Sequence, residues 1–254
     1  MEIRLPENMH LNRLNESILT IEVHPDRVAF SLSNPDNEED SYYHSISGTD
    51  LSDAFSQFQN AYFDNVFFAC SFKKVQIINY LSIFTFVPAI LFEEEDEEEY
   101  TQFLFTSASG KILHQYLQKQ AVILLHELPQ NIYDFFKRTF VDAQFMHWTA
   151  LFITHCHKEP SVVAGNCMFI SKQEQAIYIL CFSQDNLLLC NQFECKKDHD
   201  AAYYVLYIWK QLQFDQQKDF VYIADTTPVL LEELKRYIAH IAPLQIPSLL
   251  VYES

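Results

Sequence analysis

Glycine is scarce in this sequence, with only 3 glycines among 254 residues. An average protein of this length has about 7% glycine, or roughly 18 residues. Glycine allows tight turns and lets a backbone approach a phosphate group closely, so most glycine-rich nucleotide loops depend on it. The composition therefore disfavours most nucleotide chemistry.

Basic residues are also few, because 17 Lys and Arg face 34 Asp and Glu, for a formal net charge of -17. Such a chain repels phosphate backbones, so we expect no nucleic-acid partner. Seven of the acidic residues form one uninterrupted run at residues 93–99. This run is typical of a solvated helix start or loop, and the alternative is a docking strip for a basic partner.

No long hydrophobic run is present. The longest apolar stretch, residues 80–92, has 13 residues and contains Pro88, whereas about 20 are needed to cross a bilayer. We interpret it as a buried strand. Residues 1–11 lack the features of a signal peptide, and the six cysteines lack the density of a disulfide scaffold. We therefore expect reduced cysteines, no transmembrane segment and a cytoplasmic protein.

The composition is globular, with 49% apolar and 15% aromatic residues, and the apolar residues follow the periods of strands and helices. Leu19, Ile21 and Val23 alternate with polar residues as in a half-buried strand, and Pro25 with Asp26 predicts a turn. The early elements are predicted as strands at 19–23, 28–32 and 42–46, a loop at 34–40, a helix from Leu51 capped by Thr49 or Asp50, and a strand at 66–72.

The same order of patterns returns late in the chain. Strands are predicted at 168–171, 176–182 and 187–193, followed by a helix capped by Asp198 or Asp200, a strand at 220–224, a helix at 228–241 and a strand at 244–252. Between the two repeats, strands are predicted at 111–117 and 121–127, and helices at 131–140 and 147–157.

The repeated order predicts an α/β protein with mixed sheets. Three antiparallel strands followed by a helix, a strand, a helix and a strand describe a ribonuclease-H-like unit, and two in tandem describe the actin-like ATPase architecture. Glu159, Pro160 and Ser161 interrupt the apolar pattern. The predicted lobes are therefore residues 1–160 and 161–254.

Four segments together carry a family resemblance: LTIEVHPDRVAFSL from Leu19, FVPAILF from Phe86, VILLHELP from Val122, and NQFECKKDHDAAYYVLYIWKQL from Asn191. Over nearly its whole length the chain resembles a family of uncharacterised bacterial proteins, found mainly in Bacteroidetes, with an actin-like ATPase fold and a domain of unknown function. The resemblance implies a fold related to pilus-assembly and cell-division members of the actin-like group. It implies no activity and no catalytic residue.

The first nucleotide element of actin-like ATPases departs from their pattern here. Those proteins bind phosphates at the turns of the two first hairpins, where Asp and Gly residues hold Mg-associated water and admit backbone N–H groups. The corresponding positions here are Glu22, Val23, His24 and Pro25. The acid survives as Glu22, but His24 replaces the glycine and Pro25 has no N–H.

The other two elements depart as well. The second hairpin offers Ser171, Lys172, Gln173 and Glu174, without glycine and without an acid ahead of the turn. The adenosine-binding strand should be followed by two glycines, and here Asp225, Thr226 and Thr227 follow it. We therefore predict an actin-like scaffold without bound cofactor, in which Glu22, His24, Ser171 and Asp225 mark degenerate nucleotide-site positions.

A short P-loop-like segment, SASGK at residues 107–111, lacks both flanking features of that motif. Phe105 stands at the first glycine position, and Ile112 follows Lys111 instead of Ser or Thr. We interpret the segment as a surface turn.

Two loose sets of metal-ligand types occur. The first contains His147, His155, Cys156 and His157, and the second contains Cys190, Cys195 and His199. Structural zinc usually needs four ligands with a close pair such as C-x2-C, which neither set offers. We predict no metal site, and buried cysteines that pack as small hydrophobes.

No catalytic residue is predicted, because the local signatures of the recognisable hydrolases are missing. His24 is the best candidate for a residue of a reused pocket. The alternative is that His24 is only a turn residue.

Tyr203, Tyr204, Tyr207 and Trp209 cover more than one helix face, which indicates packing within the protein or against a partner. The leading hypothesis is a non-catalytic assembly or scaffold protein with an unidentified protein partner. The alternative is an enzyme or ligand-binding protein that uses an inter-lobe cleft, and the oligomeric state stays open.

Overall fold

The computed structural model describes residues 3, 5–6, 9–93, 110–173, 176–224 and 227–246. The chain divides into two compact units, Met1–Ala150 and Leu151–Ser254. Within the described residues, no helix is long and apolar enough to span a membrane.

The first unit is built on a five-stranded mixed sheet with strand order β3-β2-β1-β4-β8. Its strands are β1 (Ile18–Val23), β2 (Arg27–Asn34), β3 (Asn37–Ser47), β4 (Lys74–Asn79) and β8 (Gln144–His147). The first three are antiparallel neighbours, whereas β1, β4 and β8 run parallel. The predicted first hairpin is confirmed, although β3 begins at Asn37 and shortens the expected loop.

Two helices, α1 (Leu51–Asp64) and α2 (Gln130–Thr139), contribute to the core of this unit. Asp50 caps α1, because its side chain accepts a hydrogen bond of 2.9 Å from the backbone N–H of Asp53. The core centres on Phe58, which is fully buried and lies edge-on to Phe68 and Phe136. Aromatic edge-to-face packing thus joins α1 to α2 and to the turn that contains Phe68.

A smaller antiparallel sheet of order β5-β7-β6 completes the first unit. Its strands are β5 (Phe84–Pro88), β6 (Lys111–Leu117) and β7 (Val122–Leu128). The predictions for β6, β7 and α2 are confirmed within a few residues.

The second unit repeats the five-stranded arrangement, with order β11-β10-β9-β12-β13. Its strands are β9 (Asn166–Lys172), β10 (Ala176–Ser183), β11 (Asn186–Glu194), β12 (Phe220–Ala224) and β13 (His240–Pro243), and its helices after β11 are α5 (Asp198–Gln211) and α6 (Pro228–Leu234). The tandem order predicted from the sequence is confirmed.

Two predicted elements of the first unit are wrong. Residues 66–72 form a 3-10 helix at Val66–Ala69 instead of a strand, because Phe67 and Phe68 turn into the aromatic core and the strand is the following Lys74–Asn79. Residues 80–92 are not one buried strand. Only Phe84–Pro88 is extended, and Ile90 beyond it is 93% exposed.

Three later predictions also need correction. Residues 147–157 contain the end of β8 before the helix α3 (Trp148–Cys156). The helix predicted at 228–241 ends at Leu234, and β13 follows it. Neither Asp198 nor Asp200 caps α5, since both lie within its first turn and the N-cap is Lys197. Residues 247–252 of the predicted last strand lie outside the described residues.

The division between the units falls inside α3, ten residues before the boundary of 160 predicted from the sequence. The segment before residue 160 is held by the second unit. The His155 ring bonds the carbonyl of Gln245 at 2.8 Å, and the His157 ring bonds the Asp185 carboxylate at 2.6 Å. The first contact joins the end of α3 to the residues after β13, and the second joins it to the turn between β10 and β11. The short helix α4 (Ser161–Ala164) follows and contacts β9 and β10.

Candidate functional site

Three parallel strands of the first unit end side by side, and the residues that follow them form the candidate site. The register aligns Val23 of β1 with Asn79 of β4, and Asn79 with His147 of β8. Ligands of open α/β sheets bind at the carboxyl ends of such strands. This edge is therefore the place in the first unit to examine for a site.

The next residue on each strand carries a ring, and the three rings form a stack. His24 stacks on Tyr80 with a centroid distance of 4.0 Å and an interplanar angle of 21°. Tyr80 stacks on Trp148 at 5.1 Å and 17°. The three residues are 4%, 8% and 6% exposed. We call this set the aromatic ladder, and it occupies the edge with side chains.

The turn after β1 is closed by its own hydrogen bonds. The N–H of His24 donates to the carbonyl of Arg27 at 2.9 Å, and Pro25 has no N–H to offer. Nε2 of His24 lies 3.1 Å from Oε2 of Glu22. Burial lowers the pKa of His24, and the hydrogen bond to Glu22 opposes part of this effect. The imidazole is therefore neutral at pH 7 and donates its Nε2–H to the Glu22 carboxylate.

A polar cluster is centred on Asn79, the residue of β4 directly before Tyr80. The Asn79 amide donates to Nδ1 of His126 at 3.0 Å and to the carbonyl of Glu127 at 2.8 Å. Its Oδ1 accepts the N–H of Leu81 at 2.9 Å. Because Nδ1 of His126 accepts, the proton of this ring sits on Nε2, which has no partner among the described residues.

His147 adjoins this cluster, with its ring 5.2 Å from that of His126. Its Nδ1 accepts the N–H of Thr149 at 3.1 Å, so its Nε2–H donates to the carbonyl of Leu81 at 2.9 Å. Burial lowers the pKa of His147 to about 4, although the Leu81 carbonyl counteracts it slightly. Burial, followed by the neighbouring His147, also lowers the pKa of His126 well below its ordinary value. Both imidazoles are neutral structural groups at pH 7.

The structure describes three of the four predicted site residues. Glu22 and His24 are hydrogen-bonded, whereas Ser171 lies buried in β9 of the second unit, paired with Tyr178 and Ala224. The side-chain Nζ of the neighbouring Lys172 donates a hydrogen bond to the carbonyl of Gln173. Asp225, like Glu174 and Thr226, lies outside the described residues.

The P-loop-like segment does not form a phosphate cradle in its described part, which begins at Gly110. The N–H of Gly110 donates to the carboxylate of Glu127 at 2.6 Å. An anion is therefore already present where a phosphate oxygen would have to bind. Lys111 begins the strand β6, and residues 107–109 lie outside the described residues.

The two metal-ligand sets are not assembled. No group of three or more His, Cys, Asp or Glu within the described ranges could hold a metal ion. His155 and His157 each bond a different partner, as given above, and His199 pairs with Glu233. Burial raises the pKa of Cys167 to about 11 and moves that of Cys156 well above its ordinary value. These thiols are neutral and pack as apolar groups.

The tyrosines of α5 divide between core and surface. Tyr204 stacks on Phe193 at 4.6 Å, and Trp209 is buried. Tyr203 and Tyr207 are 62% and 51% exposed and stack on each other at 5.9 Å. Tyr204 and Trp209 therefore pack within the protein, whereas Tyr203 and Tyr207 form an exposed aromatic surface.

The sequence interpretation missed Asn79, Tyr80, His126 and Trp148. A usable signal was the polar or aromatic residue directly after each parallel strand, since those ends meet at one edge of a sheet. β8 was not predicted, however, and its last residue, His147, was placed at the start of a helix, so Trp148 could not be placed at that edge.

Comparisons with known proteins identify the family. Residues 6–241 match the family model described as "Protein of unknown function (DUF3822)", so the chain belongs to that family. No curated protein matches the chain.

Solved structures agree with the predicted fold. A Bacteroides thetaiotaomicron protein with an actin-like ATPase fold and unknown function is 27% identical, with a TM-score of 0.80 and 93% of each chain covered. The PilM–PilN type IV pilus biogenesis complex is 9% identical, with a TM-score of 0.51 and coverage of 89% of this chain and 88% of that chain. The chain therefore has the actin-like ATPase fold, as both its repeated order and the resemblance predicted.

Proposed function

We propose that this member of the DUF3822 family is a cytoplasmic actin-like protein without ATPase activity, which acts as an assembly or scaffold partner of another protein. The observation that carries the proposal is the aromatic ladder of His24, Tyr80 and Trp148. It occupies the carboxyl edge of the first sheet, where a phosphate-binding turn belongs in an actin-like ATPase.

The ladder argues against nucleotide binding for steric reasons. A glycine at the position of His24 would leave the turn open to a phosphate group. Here the imidazole lies 4.0 Å from the Tyr80 ring, and protein interiors leave little unoccupied space. A phosphate could enter only if the stacked rings moved apart.

Hydrogen bonding supports the same conclusion. The N–H of His24 is bonded to the carbonyl of Arg27, and Pro25 supplies no donor. Glu22, which corresponds to the acid of the first element, accepts from the His24 ring. The groups that would orient Mg-associated water or phosphate are thus engaged within the protein.

The scaffold part of the proposal is supported by exposed apolar side chains. Ile90 and Leu91 of the first unit are 93% and 61% exposed, and Tyr203 and Tyr207 form an aromatic surface on the second. Tyrosine is enriched at protein interfaces. The PilM–PilN complex with the same fold is a pilus biogenesis assembly, which motivates the search for a protein partner.

The nucleotide prediction is tested by thermal unfolding with and without Mg-ATP and Mg-ADP, combined with a phosphate-release assay. A ligand at 100 times its Kd stabilises a protein by about 2.7 kcal/mol, which is a shift of several degrees for a chain of this size. We expect no shift and no phosphate release. A reproducible shift with ATP, or steady hydrolysis, would contradict the proposal.

The scaffold prediction is tested by cross-linking and affinity purification from the native host with the variant Ile90→Asp. The matched control is Val141→Asp, because Val141 is 75% exposed in the same unit. We expect a stoichiometric partner with the unmodified protein and with Val141→Asp, and its loss with Ile90→Asp. Recovery of the protein alone in every case would count against a scaffold role.

A further inference from the structure

The outer strand of the first sheet, β3, has a regular hydrogen-bonding edge that no other strand uses. Within the described residues, β3 pairs with β2 alone. Residues 41–47 keep one unbroken register with residues 27–33 of β2, and the irregularity of this strand pair falls beyond them, between Ser33 and Asn34. We call residues 41–47 the edge segment, and its second edge is available for pairing.

The backbone groups of the edge segment alternate between β2 and the open side. The N–H of Gly48 donates to the carbonyl of Asp26 at 2.9 Å, and this pair continues the register of Ser47 with Arg27. Because hydrogen-bonded and non-hydrogen-bonded pairs alternate between antiparallel strands, the even-numbered residues of the segment bond β2. The odd-numbered residues point their N–H and C=O groups outward. In the part of the chain that the structure describes, these outward groups have no hydrogen-bond partner, and they belong to Ser41, Tyr43, Ser45 and Ser47.

The edge segment lacks the features that usually protect a sheet edge from pairing. Such features are charged residues, proline, bulges and very short strands. The segment contains no Lys, Arg, Asp, Glu or Pro, and burial lowers the pKa of His44, so its imidazole is neutral at pH 7. The other long edge strand, β11, has a bulge at Leu188, and the N–H of Gln192 is bonded to the Asn191 side chain at 2.9 Å. The edge strands β8 and β13 have only four residues each.

Side chains on both faces of β3 would contact an added strand. On the outer face, Tyr43 is 57% exposed and Ser45 is exposed beside it. On the opposite face, the rings of Tyr42 and His44 lie 6.3 Å apart at an angle of 11°. Aromatic side chains make favourable cross-strand pairs with β-branched ones. A strand with β-branched residues would therefore find aromatic neighbours on either face.

The charges around the edge segment favour a basic strand over a second copy of this chain. Glu38, Glu39 and Asp40 directly precede the segment within β3. Residues 26–50, which include β2 and β3, contain six Asp or Glu against one Arg, for a net charge of -5. A second copy would bring the same excess of negative charge, and like charges oppose pairing. A strand with Lys or Arg at its ends is attracted instead.

We propose that β3 binds an extended basic segment of a partner protein as a sixth strand of the first sheet. Main-chain hydrogen bonds to the odd-numbered residues of the edge segment hold it, as in other cases of strand addition. Its β-branched side chains pack against Tyr43 on one face and Tyr42 on the other, and its Lys or Arg residues lie near the acidic end of β3. The inference gives the proposed scaffold function a class of partner, and it rests on that function for the claim that the strand belongs to an assembly.

The test uses a peptide, blocked at both termini, with two Lys at each end and three Thr-Val repeats between them. One control peptide has Glu in place of every Lys, and another has Pro in place of every Val. Binding to the full chain is measured by calorimetry, and amide hydrogen exchange is followed by NMR. We expect the basic Thr-Val peptide to bind at least tenfold more tightly than either control. We also expect it to slow exchange of the Tyr43 and Ser45 amides at least tenfold, and that of the His44 amide, which already bonds β2, far less.

Two variants at one outward position make the test specific. Ser45→Pro removes an outward N–H and no bond to β2, and proline is tolerated on an edge strand where the N–H faces solvent. It should lower the affinity for the basic peptide at least tenfold, whereas Ser45→Ala, which keeps the N–H, should leave it unchanged. Urea unfolding checks that both variants are folded. If Ser45→Pro does not fold, the proline peptide tests the same hydrogen bonds from the side of the ligand.

Several outcomes would overturn the proposal. Equal binding of the basic Thr-Val and proline peptides would show charge attraction without strand pairing, and equal binding of the Lys and Glu peptides would refute the basic chemistry. Protection confined to β11, no binding at millimolar peptide, or dimerisation of the chain that Ser45→Pro abolishes would also refute it. Recovery of a stoichiometric partner from the native host together with a failed peptide test would refute strand addition and leave the scaffold function standing.

Discussion

Mild acid should destabilise the first unit through its two buried histidines. Nδ1 of His126 accepts from Asn79, and Nδ1 of His147 accepts from the N–H of Thr149. A second proton on either ring has to take the nitrogen that already accepts a hydrogen bond. Protonation would therefore break a bond and also place a charge in the core.

The sign and size of the effect follow from linkage. The folded-state pKa of His147 is about 4, compared with an ordinary value of 6.5, so the unfolded chain takes up the proton first as the pH falls. Stability is unaffected by this group above pH 6.5 and is lost progressively between pH 6.5 and 4. Each unit within that window costs about 1.4 kcal/mol, which gives a loss of about 2 kcal/mol at pH 5. His126 acts in the same direction.

The assay is urea unfolding between pH 7.5 and 4.5, in which the variant His147→Gln is compared with the unmodified protein. Glutamine retains an N–H donor for the Leu81 carbonyl but cannot take up the proton. Its free energy of unfolding should consequently fall by about 2 kcal/mol less between pH 7 and pH 5. His10→Gln, which removes an exposed imidazole, is the control.

Comparing slopes separates the histidine effect from the acidic residues, because carboxylate titration is common to all three proteins. The same comparison also separates the histidine effect from any loss of stability that the substitution causes equally at every pH. If the unmodified protein and His147→Gln lose stability in parallel over this range, the assignment of a neutral buried His147 is wrong.

Three further predictions concern stability and are checked by chemical denaturation. Phe58→Ala should lower the free energy of unfolding by about 3–5 kcal/mol, because it removes a fully buried ring from the aromatic core. Phe63→Ala should lower it far less, because that side chain is 75% exposed. Similar losses in the two variants would contradict the packing described. Asp50→Ala should cost about 1 kcal/mol, since it removes the N-cap of α1, and Asp50→Asn should restore most of it; no loss in Asp50→Ala would exclude the cap. Ala121→Gly should stabilise the protein by up to about 1 kcal/mol, because Ala121 has a left-handed conformation with φ of 51°; a clear destabilisation would refute that backbone assignment.

Most strands and helices could be predicted because their signals are local. The alternation in β1 and β2 and the helical spacing of Ala54, Phe55 and Phe58 are properties of adjacent residues. The same local approach was wrong at residues 66–72, where an aromatic run indicated a strand. There the local conformation is set by tertiary packing, because Phe67 and Phe68 are buried in the same core as α1 from a 3-10 turn.

The candidate site could be predicted only in part. Loss of the glycine and of one N–H donor at His24 and Pro25 is evident in the sequence, because it depends on residue type alone. The stacking of His24 on Tyr80, and of Tyr80 on Trp148, is not evident, because it requires the parallel register of three strands that are distant along the chain. β8 has only four residues, which is too few for a periodic signal.

The sequence by itself determined the order of elements, the tandem repeat and the absence of glycine-rich phosphate loops, since each depends on residue type and near-neighbour spacing. Only the tertiary structure decided that three rings fill the edge of the first sheet and that His126 and His147 are neutral. Those properties arise from sheet register and from burial. Both depend on contacts between residues far apart in sequence, which no local pattern contains.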